Sequence, residues 1–197
     1  IYDPRQPDVL LMNFPAGMIN AWTGGRGPSF LEWAARSPKP FDAGDYVPRA
    51  HVGRYLFWSF ERVVAQAPSN VRLIRHKTRV EAVNRNGDQW SISPQNITVD
   101  HILITTGHQD GFRQCKADTR DHIPSPFPIG QRLTQTAVPP NSTARCKGFA
   151  LTFIDTMLAL TEGRGGVFAP QRRNTFKGAH QNSRCRPVAP GQLLAIR

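Results

Sequence analysis

The stretch "HILITTGHQD", residues 101–110, decides the fold class because it places an apolar run directly before a glycine. Residues 102–104 are apolar and mostly β-branched, and a run of this length closed by glycine predicts a buried strand rather than a helix. In open α/β sheets, ligands bind beyond the carboxyl ends of the strands. The segment 106–108 is therefore either such a ligand-binding edge or an ordinary turn, and this stretch alone leaves both open.

The charge of the chain favours anionic ligands. The formal net charge of the 197 residues is +11 and the pI is about 10.6, a balance that suits phosphates, nucleic acid or an acidic partner. The basic residues are scattered, however, and the chain has no zinc finger or RNA-binding motif. We therefore expect solubility and affinity for an anionic cofactor in preference to nucleic-acid binding.

The three cysteines give no sign of a disulfide framework or a metal site. Cys115, Cys146 and Cys185 are far apart, and no CxxC pair or Cys/His ligand spacing accompanies them. The chain also has no signal peptide and no long apolar stretch. These features predict a cytoplasmic protein in a reducing compartment, without a metal and without a membrane partner.

Two helices are predicted in the first third of the chain. Ser29 begins a capping box with Glu32, which predicts a short helix in "FLEWAAR". A longer helix is predicted over residues 50–67, packed against a sheet, because apolar residues recur at steps of three and four. They are Val52, Tyr55, Leu56, Phe60, Val63, Val64 and Ala67.

Strands are predicted after this helix. Alternating residues in 71–93, with a turn at Asn86-Gly87, predict strands joined by a hairpin, and the strand at 101–105 follows. Residues 109–143 are polar and rich in proline, which predicts a connection. A short strand, a glycine turn and a helix over 151–161 come next, and residues 167–197 are predicted to be a loop or tail.

Three segments carry candidate ligand-binding residues, and each has a plainer interpretation. Asn13 follows an apolar run and precedes a proline and a glycine, so it either faces a planar ligand or belongs to a capped surface loop. Arg49 stands just before the long helix, where it binds a phosphate or a carboxylate or is simply solvated. Gly148, Ala150 and Phe153 fit a dinucleotide turn poorly, and a plain strand–helix turn is the alternative.

The sequence identifies no confident acid or base. Ser, His and Asp residues occur without a nucleophile-elbow context. His108 is either a proton shuttle or a structural histidine. Asp155 and Glu162 are adequately explained as solvated surface residues.

Taken in order, several segments together resemble the FAD/NAD(P)-binding protein family related to flavin-dependent N-hydroxylating monooxygenases. The resemblance covers roughly residues 1–168 and is most specific in "YVPRAHVGRYL" and "GFALTFIDTMLALTEGRGG", and it also includes "LLMNFPAGMINAW", "GPSFLEWA" and "ILITTGH". It implies an α/β, Rossmann-like two-dinucleotide-domain flavoprotein fold with a β-meander. It also implies oxidoreduction with FAD and NAD(P)H, most simply monooxygenation of a small-molecule substrate, where the cofactors carry the chemistry.

The resemblance also implies roles for individual residues. The segment at Asn13 corresponds to the part of the family near the flavin ring, and Arg49 to the arginine that precedes its long helix. The end of the strand at 101–105 closes the FAD domain near the cofactor, which implicates Thr105, Thr106, Gly107 and His108. The turn at 148–153 falls on the second nucleotide fingerprint, which serves NAD(P)H or supports the second domain.

The chain departs from the family at its start. Family members begin with a strand–GxGxxG–helix unit, and this chain starts at Ile1-Tyr2-Asp3-Pro4, beyond that point. We therefore expect a fold incomplete at its N-terminus, with a partial FAD-binding domain over 1–110, a connection over 111–143 and a partial NAD(P)-binding-like domain and tail over 144–197. The alternative function is a non-catalytic binding protein on a degenerate flavoprotein scaffold, whose basic surface meets an acidic partner or nucleic acid.

Overall fold

The computed structural model describes residues 2–38, 40–107, 122–168, 176–177, 185–186 and 194–196. The chain divides into two compact units. The first combines Ile1–Ala65 with Lys116–Arg197, and the second is Gln66–Cys115. Helices and strands both occur, which agrees with the predicted α/β class. Within the described residues, no helix has both the length and the apolar character needed to cross a membrane.

Helix α1, Phe30–Ala34, begins with the predicted capping box. The backbone N–H of Glu32 donates to Ser29 Oγ over 3.3 Å, and the backbone N–H of Ser29 donates to Glu32 Oε2 over 2.7 Å. The two hydrogen bonds satisfy donors that a helix start leaves unpaired. A helix of only five residues has little stability of its own, so this cap and the packing of Phe30 hold it in place.

Helix α2, Arg49–Ala65, confirms the predicted long helix. Val52 and Tyr55 are buried, and the Tyr55 hydroxyl donates to the carbonyl of Pro28 and accepts from the backbone N–H of Ala21. Only the first half of the predicted apolar face is covered, because Phe60 and Val63 are exposed by 42% and 48%. The helix is thus anchored at its N-terminal half, next to Arg49.

The main core is an aromatic cluster rather than the interface between a helix and a sheet. Phe30 is fully buried and contacts the rings of Tyr55, Phe41 and Trp33, with centroids 5.7, 5.8 and 5.9 Å away. The other buried members come from helices and loops and are Met12, Ala16, Ile19, Ala34, Val47 and Val52. Large aromatic side chains fill the N-terminal half of the apolar face of α2, and the predicted packing of this helix against a sheet stays a prediction.

Gly53 lets the N-terminal segment cross the face of α2. A Cβ added at this position would overlap the backbone carbonyl of Tyr2 and come within 3.3 Å of the nitrogen of Pro4. We expect Gly53→Ala to destabilise the protein by about 1–3 kcal/mol, since overpacking outweighs the better helix propensity of alanine. Chemical denaturation measures this, with Gly44→Ala as the control because a Cβ there meets nothing within 4 Å. Equal stabilities for the two variants would contradict the close approach.

The remainder of the first unit has a second, smaller core around helix α4, Leu151–Leu160. Val138, Phe153 and Leu160 are its buried members. Arg164 follows the helix, and its guanidinium donates to the carbonyls of Val138, Leu133 and Thr134 over 2.8, 3.2 and 3.3 Å. Partial burial lowers the pKa of Arg164. These bonds tie the helix to the loop that follows the short helix α3, Ile129–Arg132.

The second unit contains the predicted β-meander. Strands β1, Ala82–Asn86, β2, Gln89–Ser93, and β3, Ile97–Val99, pair antiparallel in chain order. Asn86 pairs with Gln89, so the two-residue turn is Gly87-Asp88, one position later than predicted. Gly87 has a φ of +61°, which glycine adopts without steric cost.

The predicted strand at 101–105 does not form a ladder. Residues 101–107 carry no strand pairing, and Leu103 and Ile104 are exposed by 87% and 72%. Residues 71–77 likewise form no strand ladder, and Leu73 and Ile74 are exposed. The expectation of a buried strand at 102–104 is therefore wrong, because a strand becomes buried only when neighbouring strands supply its hydrogen bonds.

The last part of the chain contains more strand than the predicted loop or tail. Strand β4, Ala144–Cys146, pairs antiparallel with β8, Leu194–Ile196, which pairs antiparallel with β7, Cys185–Arg186. Strand β5, Val167–Phe168, pairs antiparallel with β6, Phe176–Lys177. No parallel pair occurs among the described residues, so the two-dinucleotide-domain architecture stays a prediction.

Candidate functional site

Two of the sequence-predicted residues, Asn13 and Arg49, line one cleft in the first unit. The cleft has a volume of 230 Å³, and Tyr46 and Asp155 also contribute to it. The rest of its wall is apolar and comes from Leu11, Met12, Leu151, Ile154 and Leu158. An apolar wall with a few convergent polar groups is the usual composition of a small-molecule site.

Backbone hydrogen bonds hold the two loops of this cleft side by side. The N–H of Arg49 donates to the carbonyl of Leu10, and the N–H of Met12 donates to the carbonyl of Val47, both over 2.8 Å. Leu11 and Pro48 form an isolated antiparallel bridge between them. Asn13, which follows this bridge, and Arg49, which begins α2, are positioned by the same short ladder.

Arg49 forms a buried ion pair with Asp155 of α4. Its two terminal nitrogens donate to the two carboxylate oxygens over 2.7 and 2.9 Å. The Arg49 side chain is only 12% exposed and that of Asp155 only 5%. The expectation that Asp155 is a solvated surface residue is therefore wrong, and the solvated alternative for Arg49 is excluded by the same geometry. Breaking a pair of this kind leaves an uncompensated buried charge.

The ion pair determines which kind of ligand the cleft can bind. A guanidinium has five N–H donors, and the bidentate contact with Asp155 uses two of them. The carboxylate of Asp155 also neutralises the charge of Arg49, so the cleft attracts a phosphate only weakly. The remaining N–H groups of Arg49 can still donate to a carbonyl oxygen. The volume of 230 Å³ lies below the range of about 300–1,000 Å³ for whole-ligand sites. The residues present thus fit an uncharged, ring-sized part of a cofactor such as flavin, rather than a complete dinucleotide.

The residues that end the predicted strand lie in the second unit. Thr105, Thr106 and Gly107 are exposed, and Gly107 has a φ of +72°. His108 lies outside the described residues. Cofactor contact by these positions stays a prediction.

The predicted strand, glycine turn and helix at 144–161 are confirmed in outline. Gly148 has a φ of +101°, which favours glycine, and Ala150 is the N-cap of α4 without a side-chain cap. Phe153 is 7% exposed and packs in the second core. A buried phenylalanine fills the place of the third glycine, so this residue serves helix packing. Nucleotide binding by the turn stays a prediction.

Two residues of the cleft were missed from the sequence. Asp155 is the sole acidic residue of α4, "LTFIDTMLAL", and lies on its buried side. A lone carboxylate on a buried helix face needs a partner, and that signal identifies it. Tyr46 lies next to the "VPR" segment and is 55% exposed, and no pattern in the sequence distinguishes it from a surface tyrosine.

Comparison with known proteins identifies the family. Residues 1–109 match the family model described as FAD-NAD(P)-binding. Nitrosuccinic acid synthase of Aspergillus oryzae is 26% identical over 192 residues, covering 86% of this chain and 29% of the relative. L-Aspartate N-monooxygenases (nitrosuccinate-forming) of Streptomyces davaonensis and Streptomyces cremeus are each 27% identical and are covered to 33% and 32% of their length.

The chain thus spans about a third of the length of the curated relatives it matches. The matched region includes the two loops that carry Asn13 and Arg49, and it ends just beyond the glycine at 107. The predicted relation to N-hydroxylating monooxygenases is confirmed. Since the match extends over more than half of its residues, this chain belongs to the FAD-NAD(P)-binding family.

Proposed function

We propose that this chain is part of a flavin-dependent oxidoreductase of the monooxygenase type that uses FAD and NAD(P)H. The observation that carries the proposal is the family match over residues 1–109, which covers the two loops that bring Asn13 and Arg49 together. The relatives named as N-monooxygenases support the reaction class. Their substrate suggests a small amino acid, with L-aspartate as the first compound to test.

In this proposal Asn13 and Arg49 hold the polar edge of the flavin ring. Bound FAD supplies the redox chemistry. The apolar side chains of the cleft would exclude water from the bound ring, and the N–H groups of Arg49 that Asp155 leaves unused would hold its polar edge. Asp155 fixes the direction of the guanidinium, because two parallel hydrogen bonds restrain it more than one contact does.

The proposal extends to the remaining predicted cofactor residues. Thr105, Thr106, Gly107 and His108 are proposed to contact FAD at the end of their segment. Gly148 and Ala150 are proposed to border the nicotinamide nucleotide at the start of α4, where the lack of a side-chain cap leaves backbone N–H groups for a ligand. Phe153 supports this helix from within the second core.

The alternative, a non-catalytic binding protein on the same scaffold, is favoured by one observation. The cleft at Arg49 is small and its cation is already neutralised, so it offers little to a phosphate. A protein of this second kind would bind an acidic partner through its net charge of +11 and would not change the spectrum of a flavin.

Flavin binding tests the proposal. We expect FAD to bind with quenching of its fluorescence and a shift of its visible absorbance, and Asn13→Ala to weaken binding by about 1–3 kcal/mol through loss of a hydrogen bond to the ring. Arg49→Lys should weaken it by a similar amount, since a lysine cannot make two parallel hydrogen bonds to Asp155 while donating to the ring. Titration calorimetry gives both affinities.

Arg26→Lys is the matched control, because Arg26 lies in an exposed loop and does not line the cleft. Its FAD affinity should equal that of the parent. If all three variants bind FAD as the parent does, or if a chain that spans the full length of the relatives binds no flavin, the proposed function is wrong.

A further inference from the structure

A second cleft lies on the first unit, between α1, the segment after it and the middle of α2. Its volume is 590 Å³, and it shares no lining residue with the cleft at Arg49. That volume lies within the range of about 300–1,000 Å³ that small-molecule sites occupy. We call it the tryptophan groove, because Trp33 and Trp58 form its walls together with Phe41.

Three arginines line the tryptophan groove. They are Arg36, Arg54 and Arg62. None of these three arginines takes part in the ion pairs that the described residues show at Arg5 and at Arg49. The carboxylate that lines the groove is Glu32, whose Oε2 already accepts the N–H and the hydroxyl of Ser29. The groove therefore carries three arginines against the carboxylate of Glu32, which leaves it with a net positive charge.

The aromatic walls are held by the core beneath them. The Trp58 ring stacks on Tyr55 at 20° with centroids 6.4 Å apart, and the Trp33 ring lies 5.6 Å from Tyr55. The guanidinium carbon of Arg62 lies 5.4 Å from the centre of the Trp58 ring. Ordered tryptophan faces of this kind stack planar bases, and arginines beside them bind phosphates.

The geometry points to the tryptophan groove as a binding site for a phosphorylated nucleotide, with the base against Trp33 and the phosphates at Arg36, Arg54 and Arg62. The site is separate from the cleft of the proposed function and does not depend on it. A free nucleotide fits better than a nucleic acid, because the arginines line one groove of 590 Å³ formed by residues 28–62. A polynucleotide instead follows an extended basic track.

His51 supports this charge arrangement. It lines the groove, and its ring contacts Phe41 edge to face with centroids 5.4 Å apart. Burial and the neighbouring Arg54 lower the pKa of His51, and Asp8 opposes them by raising it. A phosphate among the arginines adds negative charge beside the imidazole. The pKa of His51 should then rise on binding, which a titration of its NMR signals measures.

Titration of the 197-residue chain with ADP tests the site. We expect saturable quenching of tryptophan fluorescence, with ADP binding at least about tenfold more tightly than adenosine, which lacks the phosphates, or pyrophosphate, which lacks the base. Arg54→Ala and Arg36→Ala should each weaken ADP binding by about tenfold, the scale of one charge-assisted hydrogen bond. Arg26→Ala, in an exposed loop outside the groove, should leave the affinity unchanged.

Several results of these measurements would overturn the inference. Absence of saturation at millimolar ADP, or pyrophosphate binding as tightly as ADP, removes the nucleotide site. Equal losses for Arg26→Ala and Arg54→Ala show a diffuse charge effect. A thymidine decamer that binds more tightly than ADP identifies nucleic acid as the ligand instead. Circular dichroism of each variant confirms its fold. Riboflavin lacks the ADP unit of FAD, so unchanged riboflavin affinity in Arg54→Ala separates this result from the fate of the proposed function.

Discussion

Asp155→Ala is expected to destabilise the protein by about 3–5 kcal/mol, because it leaves the largely buried guanidinium of Arg49 without its counter-charge. The carboxylate is 5% exposed and accepts both terminal nitrogens of Arg49 at 2.7 and 2.9 Å. This loss of stability includes the free energy needed to keep an unpaired cation away from water. That free energy is larger than the stabilisation that a surface ion pair gives. Urea denaturation followed by tryptophan fluorescence measures the free energy of unfolding.

Two comparisons make this result specific. Glu162→Ala removes an exposed carboxylate just beyond α4 and should change stability by less than about 0.5 kcal/mol. The double variant Arg49→Leu/Asp155→Leu should recover most of the loss, because well-packed apolar residues often replace a buried pair at little cost. A single variant as stable as the parent would show that Arg49 reaches water when its partner is removed.

Phe30→Ala has the second large expected effect, a loss of about 3–5 kcal/mol, since it removes the fully buried ring at the centre of the aromatic cluster. Phe41, Trp33 and Tyr55 all contact this ring with centroids within 6 Å. The cavity would be lined by stiff rings that cannot collapse easily, which places the expected loss in the upper part of the range for large-to-small substitutions.

Phe57→Ala is the matched control, because Phe57 lies on α2 with 62% of its side chain exposed. Its loss should stay within about 0.5 kcal/mol. The same denaturation experiment serves both variants. Similar losses for Phe30→Ala and Phe57→Ala would mean that the cluster is not the main source of stability for this unit.

Local patterns explain what the sequence predicted correctly. The capping box at Ser29 and Glu32 involves neighbours in the chain, and so does the apolar spacing of α2. The buried strand at 102–104 was mispredicted because strand burial depends on partners far away in the sequence. The short strands after residue 166 pair with each other or with β4 and lack a periodic signal long enough to detect.

Some residues of the candidate site were likewise predictable from local sequence and others were not. Asn13 and Arg49 were found from the loop chemistry around them and from the family resemblance, and one cleft brings them together. Their partner Asp155 was misassigned to the surface, because the contact joins positions 106 residues apart. Burial of a carboxylate is a property of the packed molecule, and composition alone does not show which cation meets it.

The separation of Arg49 from Asp155 along the chain has a consequence for biosynthesis. A ribosome adds about 5–20 residues per second, and the two residues are 106 positions apart. Roughly 5–20 s therefore pass between their synthesis, during which the guanidinium remains hydrated. The aromatic cluster draws on residues 12–58 and is complete long before α4 emerges. We expect the nascent chain to acquire this cluster first and the Arg49 cleft last.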